Sequence, residues 1–299
     1  MAALALMPAP SPYAGVTVAL ATRHGKERVI ARALRHGLGA DLLHVRSVDT
    51  DALGTFCGGV RRPGSALAAC IAKAEAALVA GGVEFAIASE GSFGPHPQLP
   101  FLAAGREWLV FVDRCRGLTI SEQLLAPRTN FAHRLVTAPE ASGPDQGLGR
   151  WLEQVGFPSH GLMVRAHNGG AGAAEVEKGL HQWEELVAAI RRAAAASSDG
   201  LALVETDMRA HCNPTRMGTI RQLTFRLVRR LASPCPACQA PGWGVVDQRS
   251  GLPCGVCGFP TALTRAVVWG CSRCGHQEEM PRPDGLHLAD PGQCNWCNP

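Results

Sequence analysis

The chain has 299 residues, 46% of them hydrophobic and 18% charged, with a formal net charge of +4. That length holds one α/β domain plus a small appendage. A charge of +4 is too slight to argue by itself for a nucleic-acid protein, and no apolar run reaches the length that crosses a bilayer, so no membrane partner is expected.

In chain order, residues 1–13 read as a disordered, Pro-rich lead-in without the basic run of a secretion signal. GVTVALA at 15–21 reads as a buried strand, Gly25–Leu38 as a helix and Asp41–Val45 as a second strand. A Gly-rich loop over 46–63 precedes a helix at Gly64–Val79, where Leu67, Cys70, Ile71, Ala74 and Leu78 recur at helical spacing. Strand Glu84–Ala88 is expected to end in the loop SEGSFGPHP. Strand Trp108–Val112 follows, with a hairpin partner at Leu118–Gln123. Beyond Pro127 the pattern loosens. Ala138–Gly149 reads as a loop, Gly161–Arg165 as a strand, Glu177–Ala196 as one long Ala-rich helix and Leu201–Val204 as a strand. A helix from Pro214 to Leu231 leads to the border at 232–234. Strands alternating with helices make 14–232 an α/β domain, a mixed sheet flanked by helices.

The tail, 233–299, carries four C-x-x-C pairs: Cys235/Cys238, Cys254/Cys257, Cys271/Cys274 and Cys294/Cys297. The gaps between them are 15, 13 and 19 residues, each long enough for a hairpin. Two pairs close one tetrahedral four-thiolate site, so four pairs imply two structural Zn²⁺ ions in a small β-rich tandem zinc-ribbon domain. A disulfide framework fits this spacing poorly, and thiolate sites with scattered further cysteines point to a reducing cytoplasm. Sequential closure, first pair with second and third with fourth, is the simpler topology. Interleaved closure stays open.

Ligands in open α/β sheets gather beyond the carboxyl ends of strands, and three polar clusters fall there. The first is Thr22-Arg23-His24-Gly25-Lys26, the second Ser89-Glu90-Gly91-Ser92 with His96 after it. The third is Glu205-Thr206-Asp207 followed by Arg209, His211, Asn213, Thr215 and Arg216. Asn213 is a good N-cap with Pro214 in the first turn, so free amides beside Thr215 and Arg216 are expected to cradle an anion. Glu205 and Asp207 share parity on an extended segment and can face one Mg²⁺. The structural alternative is an ion pair of Asp207 with Arg209 or Arg216. Lys26 can reach a phosphate from its helix start. Lys73 either enters the site or snorkels outward. His24, His96 and His211 are acid/base or hydrogen-bonded structural residues, and Cys57 and Cys212 have no base beside them. The arginines of the last helix, Arg216 to Arg230, wrap around its faces without forming one ridge, and its solvated-face reading stands beside a nucleic-acid one.

The strings ATRHGKERVI (21–30), GTF-x-GGVRR-x-GS (54–65), IASEGSFGPHP (87–97) and ETDMRAHCNPTRMGTI (205–220), followed by the ribbons, resemble a bacterial domain-of-unknown-function family. More distantly, ATRHGK (21–26), ACIAKA (69–74) and IASEGS (87–92) resemble, in order and spacing, the inosine/xanthosine triphosphate pyrophosphatase and Maf-like superfamily. That resemblance implies triphosphate binding by Lys26 and Lys73, Mg²⁺ held with help from Glu90, and a late basic part played by Arg209, His211 and Arg216. The site expected from sequence therefore has Glu90, Glu205 and Asp207 as metal or base carboxylates. Thr22, His24, Lys26, Lys73, Ser92, Arg209, His211, Asn213, Thr215 and Arg216 would hold a phosphorylated small molecule, plausibly a nucleoside triphosphate. The alternative is a non-catalytic module whose ribbons bind nucleic acid or a protein.

Overall fold

The computed structural model describes residues 11–50, 52, 64–126, 128–143, 146–169 and 176–298. Most of the expected lead-in, most of the Gly-rich loop and Cys57 lie outside them. The α/β region carries two sheets. In the first, β1 (Thr17–Ala21) pairs in parallel with β2 (Asp41–Val45) and β3 (Phe85–Pro95). Antiparallel strands β4 (Ala103–Asp113) and β5 (Leu118–Ala126) complete the order β2-β1-β3-β4-β5.

Three helices cover this sheet. On one face lies α2 (Ala66–Gly81), whose Cys70, Ala74, Ala77 and Leu78 pack on Ala19, Ala86, Ala88 and Val110. On the other lie α1 (Glu27–Leu38) and α5 (Pro214–Leu231), sharing a core with Val18, Leu20, Ile87, Leu109 and Phe111. The alternation of β3 and β4 between the two cores is the period-two consequence of strand geometry. Helix α1 ends at Gly39, whose φ of 70° places it in the left-handed region that suits glycine at a helix end.

The second sheet is antiparallel, ordered β6-β9-β7-β8, from β6 (His133–Thr137), β7 (Leu162–Ala166), β8 (Glu177–Leu180) and β9 (Leu201–Thr206). It is backed by α3 (Gln146–Val155) and α4 (Trp183–Ala196).

Several expectations are corrected here. SEGSFGP is not a loop: β3 runs on to Pro95 because β4 pairs with it residue for residue as far as Ala103. The start of the expected long helix, Glu177–Leu180, is strand β8, paired with β7, and only Trp183 onward is helical. Ala138–Gly149 holds a short 3-10 turn and the start of α3.

The tail is one three-stranded antiparallel sheet, β10 (Gly244–Ser250), β11 (Thr264–Gly270) and β12 (Gln277–Pro281), in that order. The Cys235 and Cys271 pairs share one end of it and the Cys254 and Cys294 pairs the other. The interleaved order therefore holds, against the simpler sequential one. Each strand carries the chain from one end to the other, so successive knuckles alternate ends. A seven-residue strand spans roughly 20 Å, too far for neighbouring pairs to meet.

Candidate functional site

At the first metal end, Cys235, Cys238, Cys271 and Cys274 hold their sulfurs within 4.8 Å of one another, as do Cys254, Cys257, Cys294 and Cys297 at the second. Sulfur separations of 3.6 and 3.8 Å at the first and 3.6 and 3.9 Å at the second match the edge of a tetrahedron with Zn–S near 2.3 Å, about 3.8 Å. Backbone amides of Cys257 and Val256 aim at Cys254 and hold its thiol down to about 7. Both ends fit one Zn²⁺ with four thiolates and no open position, the pattern of structural metal. The first is wedged against the α/β region. Arg230 of α5 donates to Gly242 O, Ser121 O and Glu122 Oε1. A Cβ at Gly242 would meet Ile120 at 2.4 Å.

The α/β site forms where β1 stops and β3 runs on. The first turn of α1 swings Lys26 over the end of β1, and its buried Nζ donates to Ser89 O at 2.9 Å. Consecutive β3 residues then point to opposite faces. Glu90 stands on the α2 face and meets Lys73 Nζ at 2.6 Å. Gly91 pairs in register with Glu107, which stands on the α5 face and meets Arg216 Nε at 2.5 Å. Arg216 also donates to Met208 O and lies 5.1 Å from the Phe93 ring centre. Gly91 leaves room for this pair, since a Cβ there would sit 2.5 Å from both Arg216 and Glu107 and one of them would have to shift.

Five charged side chains are thus buried together: cations Lys26, Lys73 and Arg216, carboxylates Glu90 and Glu107. Burial, then repulsion from Arg216, brings the Lys26 ammonium down to about 8 against the pull of Glu90 and Glu107. Beside it, buried Ser89 Oγ has no hydrogen-bond partner among the described residues. Thr22, also buried, receives the His24 N–H on its hydroxyl. Ser92 follows Glu90 on the same face and lines an open groove with Arg106.

The third cluster touches this site at two points, Arg216 and His211. The His211 ring stacks on His24 with centroids 5.2 Å apart and planes 15° from parallel. Burial, then Lys26 and further neighbouring positive groups, hold His24 down at about 3, and burial with Arg209 also lowers His211. Both rings are mainly neutral at pH 7, so neither is a ready proton donor there.

The rest of that cluster closes on itself. Asp207 is fully buried; burial pushes its carboxyl up, but hydrogen bonds and charge from Arg209 outweigh this and hold it low. It accepts from Arg209 Nη2 at 2.6 Å and from Gly179 N. Glu205 instead pairs with Arg165 across β9 and β7. The expected anion cradle at α5 is filled from within: Asn213 Oδ1 accepts the Arg216 amide, and His160 Nε2 takes both the Thr215 amide and hydroxyl. Glu90, Glu205 and Asp207 each sit on a separate cation. Among the described residues the only groups of three or more potential metal ligands are the two cysteine sets, so these carboxylates do not fit a shared Mg²⁺. His96 caps a turn, accepting from Gln98 N and Leu99 N.

The model of the family described as Domain of unknown function (DUF6671) matches residues 73–299. The chain belongs to that family. No curated protein and no solved structure matches it. The family's stretch begins at Lys73 and takes in Glu90, Glu107, Arg216 and all eight zinc-site cysteines, while β1 and Lys26 precede it.

Sequence reasoning missed Glu107, placed just before the expected strand. A signal was present: in REWLVFVD, Glu107 is in phase with Leu109 and Phe111, a carboxylate that opens an otherwise apolar face closed by Asp113.

Proposed function

We propose that the α/β region binds a small phosphorylated molecule, of the nucleoside triphosphate class, at the carboxyl end of β1 and hydrolyses it there. One observation carries this reading: a buried group of three cations and two carboxylates in which Lys26, among the described residues, has only a carbonyl for a partner. Buried charges persist where they are paired, and an anion would complete this set. A phosphoryl oxygen would take the Lys26 ammonium and the Ser89 hydroxyl, with Arg216 held in place behind them by Glu107.

Glu90 is the carboxylate beside that position. With the Lys73 ammonium turned toward phosphate, Glu90 is placed to accept a proton from attacking water. Asp207 and Glu205 take no part, since each is neutralised by its own arginine. A reducing compartment, the cytoplasm, suits the thiolate sites.

The test is a screen of nucleoside triphosphates for phosphate or pyrophosphate release, with and without Mg²⁺. Turnover is expected with the wild type, with a loss of about 100-fold in Glu90→Gln and little change in Glu205→Gln. Turnover that survives Glu90→Gln would remove Glu90 from the reaction. No turnover with intact binding would reduce the function to binding alone.

A further inference from the structure

The slight net charge hides a strong asymmetry. Helices α1 and α5 together carry eight arginines and one glutamate, +7 in formal charge, while the whole chain is only +4, so everything else sums to −3. The two helices lie side by side on one face of the first sheet, Gly37 of α1 packed against Val228 of α5. Arg216 and Arg230 are consumed by Glu107 and Glu122. The other six, Arg28, Arg32, Arg35, Arg221, Arg226 and Arg229, are all exposed.

Of these only Arg35 has a carboxylate partner among the described residues, the exposed Asp41. On α5 the exposed positions 221, 222, 225, 226 and 229 fall on one side of the helix, with Phe225 among the arginines. This corrects the expectation that these arginines form no common ridge: two have turned inward, and the remaining three align.

The tail is opposite in sign. Residues 233–299 contain four arginines, no lysine and five carboxylates. Each four-thiolate Zn²⁺ site would add about two further negative charges. The ribbons thus offer a polyanion no net positive charge.

We propose that the outer face of α1 and α5, not the zinc ribbons, binds the phosphate backbone of a nucleic acid. Guanidinium groups suit phosphate in geometry as well as charge, and a one-signed patch raises local polyanion concentration and encounter rate. The contact would be sequence-independent.

The experiment uses the full-length, zinc-loaded chain and a labelled mixed-sequence DNA duplex, titrated between about 50 and 200 mM salt. The wild type should bind with a steep salt dependence. Replacing Arg221, Arg226 and Arg229 together by glutamine should weaken binding at least about ten-fold and flatten the log–log salt slope by about 2 to 3. These side chains are exposed, so an unchanged melting temperature checks the fold. The ribbon pair Arg249→Gln and Arg265→Gln should change affinity by less than about two-fold. Lys26→Met should also leave duplex binding intact, which separates this surface from the β1 site. Binding that is absent, insensitive to the helix triple variant, or lost with the ribbon pair would overturn the proposal. So would stronger binding to phosphatidylserine vesicles than to DNA.

Discussion

Two buried ionic groups flank the start of α5, and they are built to opposite ends. Asp207 meets Arg209 through both of its oxygens and takes backbone amides from Arg209 and Gly179, so its charge is answered locally. At the mouth of β1, three cations face two carboxylates, and beside them lies a hydroxyl with no partner among the described residues. The first arrangement holds a loop and asks for nothing more. The second retains an excess that folding alone does not explain, because a buried ammonium opposes stability. Polar residues crowded together in sequence are therefore poor guides to a site; what matters is whether their charges cancel.

The largest effect expected from this contrast is at Asp207. Asp207→Ala strands Arg209 and should cost about 3–5 kcal/mol in denaturant unfolding, while phosphate affinity stays within about two-fold for the protein still folded. A large affinity loss with little unfolding penalty would reverse the roles given to the two groups.

Lys26 should show the reverse behaviour. Its folded pKa, about 8, lies below the ordinary 10.5, so between these values the unfolded chain binds the extra proton. Stability from this group is therefore lowest below pH 8 and recovers as pH rises toward about 10.5. The shift corresponds to about 3 kcal/mol. Lys26→Met should accordingly be more stable than the wild type at pH 7, by up to about that amount, with the gap closing by pH 10. A variant less stable than the wild type at pH 7 would mean that Lys26 is already satisfied.

Gly91→Ala is the smaller perturbation. Its methyl group would press on Glu107 and Arg216 and should cost about 1–3 kcal/mol, together with a weaker hold on phosphate through the displaced guanidinium. Full stability with normal affinity would show that the pair gives way freely.

Much of the frame was legible in sequence. The order β1-α1-β2-α2-β3 follows from buried runs and helical spacing, and α5 begins and ends where its Asn-Pro cap and apolar stripe imply. The zinc ligands were legible because thiolate chemistry fixes their spacing. Less legible were features set by partners distant in the chain. SEGSFGP is strand only because β4 lies alongside, and Glu177–Leu180 is strand only because β7 does. The interleaving of the cysteine pairs depends on which end of the tail sheet each knuckle reaches. At the site, Lys26, Lys73, Glu90 and Arg216 were each identifiable from strand-end or helix position. That Glu90 on β3 and Glu107 on β4 stand on opposite faces of the paired strands, both within electrostatic reach of Lys26, required the register.

The most direct test is calorimetric titration of inorganic pyrophosphate into the wild type, Lys26→Met and Asp207→Asn at pH 7. The excess-cation account expects binding to the wild type, a loss of at least about ten-fold in Lys26→Met, and a change within about two-fold in Asp207→Asn. Equal binding to wild type and Lys26→Met, or no binding to either, would contradict it.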